Sequence, residues 1–144
     1  MEKITIRNAE SGDLQGFKNL STELGYPYNL VQIDQRLKRL FKSESDLVYV
    51  AVRNTEVVGW IHVFEALRLE SDPFAEIGGL VVSSEHRNKG IGTMLVDAVE
   101  KWAIQKGFSK IRVRSRLERT HARRFYEKGG YFVKKSQNVF EKIL

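Results

Sequence analysis

Between Ala75 and Gly107 the chain reads AEIGGLVVSSEHRNKGIGTMLVDAVEKWAIQKG. This is an apolar run of strand length, a short polar and basic segment, then apolar residues at helical spacing. Ile91, Met94, Leu95, Ala98, Val99 and Trp102 fall on one stripe of the helix, and Gly107 stops it. The strand-like KIRVRS follows within a few residues. A strand, a helix and a second strand joined so closely predict a parallel crossover, which is right-handed in nearly all sheets. Inside the first strand stands a Gly78-Gly79 pair. Glycine within a strand marks a bulge or a close backbone approach.

The rest of the chain builds around that unit. KITIRNA alternates and is β-branched, so it reads as a strand. Ser11 reads as the N-cap of a helix carrying Leu14, Phe17, Leu20 and Leu24 and ended by Gly25. Asn29 caps a second helix with Leu30, Ile33, Leu37, Leu40 and Phe41 on one face. DLVYVAVRN and EVVGWIHVFEAL are strands joined by a tight turn at Asn54-Thr55. LRLESDPF reads as a polar loop broken by Pro73. THARRFYEKGG is a short helix ended by glycine, and YFVKK and NVFEKIL read as two closing strands. The expected fold is mixed α/β: one domain over residues 1–144, with a mostly antiparallel sheet, one parallel strand pair and flanking helices.

Several chemistries drop out at once. The chain has no cysteine, so disulfides, cysteine nucleophiles and thiolate metal sites are excluded. His62, His86 and His121 are scattered without metal-ligand spacing. MEKITIRNAE lacks the apolar centre of a signal peptide and no stretch approaches a membrane-spanning length. The expectation is a cytoplasmic protein with no membrane partner. The net charge of +6 points to a polyanionic partner, either nucleic acid or a phosphate-rich small molecule.

The location of the basic residues narrows that choice. The first turn of a helix leaves its N–H groups without partners, and the helix dipole places partial positive charge there. Gly90 and Gly92 remove side chains from the entrance, Arg87 and Lys89 add charge, and Thr93 offers a hydroxyl. Together they describe a phosphate cradle. It is not a Walker loop, because GxxxxGK[ST] is absent. Nor is it a dinucleotide fingerprint, because the third glycine is missing.

RNKGIG matches the R/Q-x-x-G-x-G/A motif of the GCN5-related N-acetyltransferase (GNAT) superfamily, and the whole of residues 75–107 resembles that family's strand–turn–helix unit. RTHARRFYEKGGYF resembles its later helix. The resemblance implies acetyl-CoA as the acetyl donor, with its pyrophosphate on Arg87, Asn88, Lys89, Gly90, Ile91, Gly92 and Thr93. It implies two strands splayed apart, with the pantetheine arm on the backbone of Leu80, Val81 and Val82. Tyr126 resembles the family tyrosine that protonates the departing thiolate. Arg119 stands where many members carry an asparagine that contacts the pantetheine.

Amide formation needs a neutral amine, yet an alkylammonium with pKa about 10.4 is mostly charged at neutral pH. A base is therefore required. FAEI resembles the segment holding the glutamate base of the family's histone acetyltransferases, so Glu76 is the first candidate; read from the residues alone it is equally a strand-start carboxylate paired with an arginine. Its alternation places it on one face with Gly78 and Leu80. Glu65 is the second candidate, followed by His62 and His121. Glu65 and Glu76, within an acidic stretch of a basic chain, would also draw a cationic acceptor. The expected activity is N-acetylation of a small-molecule primary amine, aminoglycoside-like or polyamine-like, by direct attack. A protein or peptide amine acceptor, a nucleic-acid-binding module built on the basic KIRVRSRLERTHARRFYEKGGYFVKK, and an acetyl-CoA sensor without turnover stay open beside it. Of these, nucleic acid is not the expected partner; a homodimer is the family-level expectation.

Overall fold

The computed structural model describes residues 3–23 and 29–144. Leu24 and Gly25, assigned above to the end of a helix, lie outside the described residues. The chain divides into two compact units, Met1–Arg114 and Ser115–Leu144.

The first unit is built on five strands in the order β1 (Ile4–Asn8), β2 (Asp46–Arg53), β3 (Glu56–Arg68), β4 (Ser71–Val82) and β5 (Ile111–Val113). The first three pairings are antiparallel, and β4 and β5 are parallel, with Ala75 opposite Ile111 and Ile77 opposite Val113. Three helices complete this unit: α1 (Leu14–Glu23), α2 (Leu30–Lys42) and α3 (Ile91–Gln105), the last forming the crossover between the parallel strands.

Both faces of the sheet are covered, because both carry apolar side chains. Val48, Val50 and Val52 bury against Phe17 of α1 and Ile33 and Leu37 of α2, and Trp60 packs onto the same cluster. The opposite face carries Ala51, Ile61 and Val63, all fully buried. Gly59 lies there too; a Cβ on it would stand 3.0 Å from Val81 O and 3.3 Å from Leu95 of α3. Helix α2 starts where Asn29 predicts, its Oδ1 accepting the Gln32 N–H at 2.9 Å while Gln32 Oε1 accepts the Asn29 N–H at 3.2 Å. Phe41 of the predicted stripe is instead 43% exposed, because it lies on the last turn of α2 and the buried positions end at Leu37. Ser11 lies in a 3₁₀ turn, Ser11–Asp13, leading into α1 rather than capping it.

That turn is fixed by an ion pair. Arg7 Nη1 and Nη2 each donate to one Asp13 oxygen at 2.8 Å, and the Glu10 N–H donates to Oδ2 at 2.7 Å. The Arg7 hydrogen bonds outweigh burial and hold the Asp13 carboxyl below its ordinary range. A depressed carboxylate stabilises the fold above its unfolded pKa, and the effect is lost as pH falls through the folded value. Asp13→Ala is therefore expected to lower the unfolding free energy by about 1.5 kcal/mol near pH 7. Urea melts of both proteins should show that gap closing at pH 3.

Two predicted features are corrected. The acidic loop is almost absent: β3 continues to Arg68 and β4 begins at Ser71, so the connection narrows to Leu69 and Glu70. Pro73 sits inside β4, in a stretch where the register shifts between Ala66 and Arg68. A proline lacks the ladder N–H and is tolerated at such an irregularity. In the second unit, α4 (Thr120–Lys128) forms as predicted, but 132–144 carry no regular element. Alternation in YFVKK and NVFEKIL supplies strand propensity; a ladder also needs a partner, which alternation does not specify.

Candidate functional site

The glycine pair in β4 has a definite geometric effect. Gly79 faces His62 and Ile77 faces Val63, so Gly78 is an extra residue on β4. This β-bulge bends the strand. Pairing with β5 ends at Ile77 and Val113, whereas β4 runs on to Val82. The parallel ladder thus ends beside the bulge, where β5 itself stops, and the backbone of Gly78 to Val82 runs on unpaired with β5. The bulge also overturns the parity expected from simple alternation. Glu76 pairs with Phe64 and shares its face, on the side of α1 and α2, while Leu80 pairs with Ile61 and turns to the α3 side.

From Val82 the chain enters Ser83, whose N–H donates to Val58 O at 2.8 Å, then a 3₁₀ turn at Ser84–His86. His86 is buried and its Nε2 meets Arg53 Nη1 at 2.8 Å. Glu23, at the end of α1, accepts from the Ser84 N–H. These anchors hold the loop while Arg87, Asn88, Lys89 and Gly90 stay exposed. Asn88 and Gly90 have φ of 61° and 80°, and Gly90 is the N-cap of α3 with no side-chain cap bond. A side chain at Gly90 would meet nothing within 4 Å. Left-handed residues before an uncapped helix turn their N–H groups into an anion-binding concavity. The cradle read from sequence has the chemistry to take a diphosphate: donors without side-chain partners, open approach, and two flanking cations.

The acidic candidates are separated. Glu65 pairs with Ala75 and lies on the opposite face from Glu76. Glu76 is buried; its Oε2 accepts from Arg114 Nε at 3.3 Å, and its Oε1 is buried without a hydrogen-bond partner. Arg112 lies 4.4 Å from the centre of the buried Phe74 ring. Two arginines of the basic strand segment are thus engaged within the sheet.

A residue that the sequence did not single out joins this face. Asp46 opens β2, and its Oδ1 accepts from His62 Nε2 at 2.7 Å while Ser43 Oγ donates to Oδ2 at 2.6 Å. Burial raises the Asp46 carboxyl, but the Ser43 and His62 contacts outweigh it and hold it below its ordinary range. The only sequence signal was the tight turn at Asn54-Thr55. Counted from that turn without interruption, Asp46 would face Val63 and turn away from His62. A register shift after Ala51 places it opposite Phe64 instead.

In the second unit, Gly129 and Gly130 close α4, and the Tyr131 N–H returns to Tyr126 O at 3.0 Å. The Tyr126 ring lies edge-on to Phe125 and Tyr131, with centroids 5.0 and 5.5 Å apart. Burial pushes the Tyr126 phenol up to about 12, with Arg119 pulling weakly the other way. Arg119 is the N-cap residue of α4 and makes no side-chain cap bond. His121 is exposed on the first turn. Among the described residues no cluster of three or more metal-ligating side chains occurs, and no helix is long and apolar enough to cross a membrane.

Known proteins share this fold. The model of the acetyltransferase (GNAT) family matches residues 14–131. The chain is 27% identical over 134 residues to YhdJ of Bacillus subtilis strain 168, described as an uncharacterized N-acetyltransferase, covering 92% of each. It is 31% identical over 117 residues to a streptothricin acetyltransferase of Escherichia coli, covering 81% of this chain and 62% of that protein. Among solved structures, aminoglycoside N-acetyltransferase AAC(6')-Iy in complex with CoA superposes with a TM-score of 0.89 at 16% identity, over 99% of this chain and 96% of that one.

Proposed function

Since the chain belongs to the GNAT family of acetyltransferases, which use acetyl-CoA, we propose that it acetylates the primary amine of a small, cationic, aminoglycoside-like or polyamine-like molecule, with residues 1–144 acting as one transferase domain. The observation that carries this reading is the end of the β4–β5 ladder at the Gly78 bulge, on the strand that leads into the uncapped start of α3. The relatives that act on streptothricin and on aminoglycosides support the acceptor class.

Acetyl-CoA supplies the acetyl group as a thioester. The chain's own residues do the rest. The N–H groups from Arg87 to Thr93 hold the diphosphate, with Arg87 and Lys89 drawing it in. The free backbone of Leu80, Val81 and Val82 orients the pantetheine arm, and an N–H near Val81 polarises the carbonyl. Arg119 holds the cofactor from α4. Tyr126, kept protonated by burial, donates to the sulfur as the C–S bond breaks. Holding both reactants in place supplies much of the acceleration. The ammonium loses two protons as the N–C bond forms; one leaves on the thiol and the protein must take the other. Glu76 contributes negative charge that favours a cationic acceptor.

A thiol-release assay with acetyl-CoA across aminoglycosides, polyamines, amino acids and peptides tests the reading. Saturable release with an aminoglycoside or polyamine is expected. Release with peptides alone would move the acceptor to protein amines, and binding without release would make the chain a sensor.

A further inference from the structure

Resting on the acetyl-transfer reading, we propose that His62, fixed by Asp46, is the group that takes the ammonium's second proton, with Glu76 serving as a charged neighbour rather than the base. His62 lies on β3 directly opposite Gly79, beside the bulge. Its Nε2 faces Asp46 Oδ1 at 2.7 Å. An ionised carboxylate only accepts, so in the neutral ring Nε2 carries the hydrogen and Nδ1 keeps its lone pair. The Ser43 hydroxyl on the other Asp46 oxygen locks the carboxylate in turn.

The free nitrogen points at the place where the β4–β5 ladder ends. A Cβ on Gly78 would stand 2.7 Å from Nδ1 and 3.3 Å from Phe64 Cε1. Only a glycine leaves that nitrogen clear, and Nδ1 has no hydrogen-bond partner among the described residues. The side chains of His62 and Asp46 are 22% and 19% exposed, sheltered yet able to pass a proton to water. The other charged groups of this face are Glu76 and Arg114, already joined, Arg68, Lys110 and Arg112 around the Phe74 ring, and Arg7, held by Asp13. Glu76 has one oxygen on Arg114 and the other buried, whereas His62 has a free lone pair at the bulge. The transfer balances: the ammonium N–H bond breaks, a proton joins Nδ1 to give the imidazolium, the neutral amine attacks, and the imidazolium releases its proton to solvent.

The test is kcat/KM from pH 6 to 9.5 with kanamycin, or with spermidine if kanamycin is not turned over, for the wild type, His62→Gln and Asp46→Asn. His62→Gln should be about a hundredfold slower at pH 7, with the gap closing toward pH 9.5, where the amine arrives increasingly deprotonated. Asp46→Asn should displace the acid limb of the profile. Heat protection by CoA should be unchanged in both, which a merely structural role would not predict. A gap that is equal at every pH, or under twofold at pH 7, overturns the proposal alone. Wild-type protein that releases no thiol with any amine overturns it together with the acetyl-transfer reading. If His62→Gln loses its fold, the Asp46→Asn profile decides: an unmoved acid limb overturns the proposal.

Discussion

Gly90→Asp is expected to weaken CoA binding about a hundredfold or more. Gly90 caps α3 at φ 80° with open space where a side chain would stand, so the carboxylate meets no steric obstacle within the protein. Its charge is the problem. A unit charge within about 5 Å of a phosphate costs roughly 3 kcal/mol at an effective dielectric near 20, which is a little over a hundredfold in Kd. Asparagine and aspartate are among the side chains that best tolerate the left-handed region and share its strain, so Gly90→Asn separates shape from charge and should weaken binding only a few-fold. Calorimetric titration with CoA measures both. Unchanged affinity in Gly90→Asp would remove the diphosphate from this turn.

Tyr126→Phe is expected to lower kcat about a hundredfold while leaving the Kd for CoA within about twofold, since a positioned acid contributes on that scale. The substitution keeps the ring and its edge-on contacts with Phe125 and Tyr131 and deletes only the hydroxyl. Burial pushes the phenol up to about 12. The proton therefore stays on Tyr126 throughout the neutral and mildly alkaline range, and wild-type kcat should show no fall from phenolate formation up to about pH 10. Steady-state rates across that range decide the matter. A variant that keeps the wild-type kcat at every pH would mean that Tyr126 packs and does not donate.

Much of this site could be read from the chain before folding. Asn29 announced the start of α2 because a cap is decided by the residue and its neighbour three positions on. The uncapped start of α3 was legible because its glycines and flanking cations all lie within seven residues, Arg87 to Thr93. The glycine pair in β4 announced a bulge, and a bulge stands at Gly78. The closing segment was harder: alternation after Gly130 suggested strands, and residues 132–144 are irregular.

The charged groups on the sheet were beyond reach for a different reason. Glu76 was noticed, but not that Arg114 would sit on it, nor that Glu65 would turn to the other face. Asp46 drew no notice, although it orients His62. Local order, from strand to turn to helix, follows from side chains a few positions apart and is therefore written along the chain. Which groups share a face depends on three inserted residues, one between β2 and β3 and two between β3 and β4. Each insertion sends every later side chain to the opposite side of the sheet. The bulge at Gly78 had its glycine pair to mark it, but the insertion between β2 and β3 had no such mark, so the meeting of His62 with Asp46 belongs to the folded molecule alone.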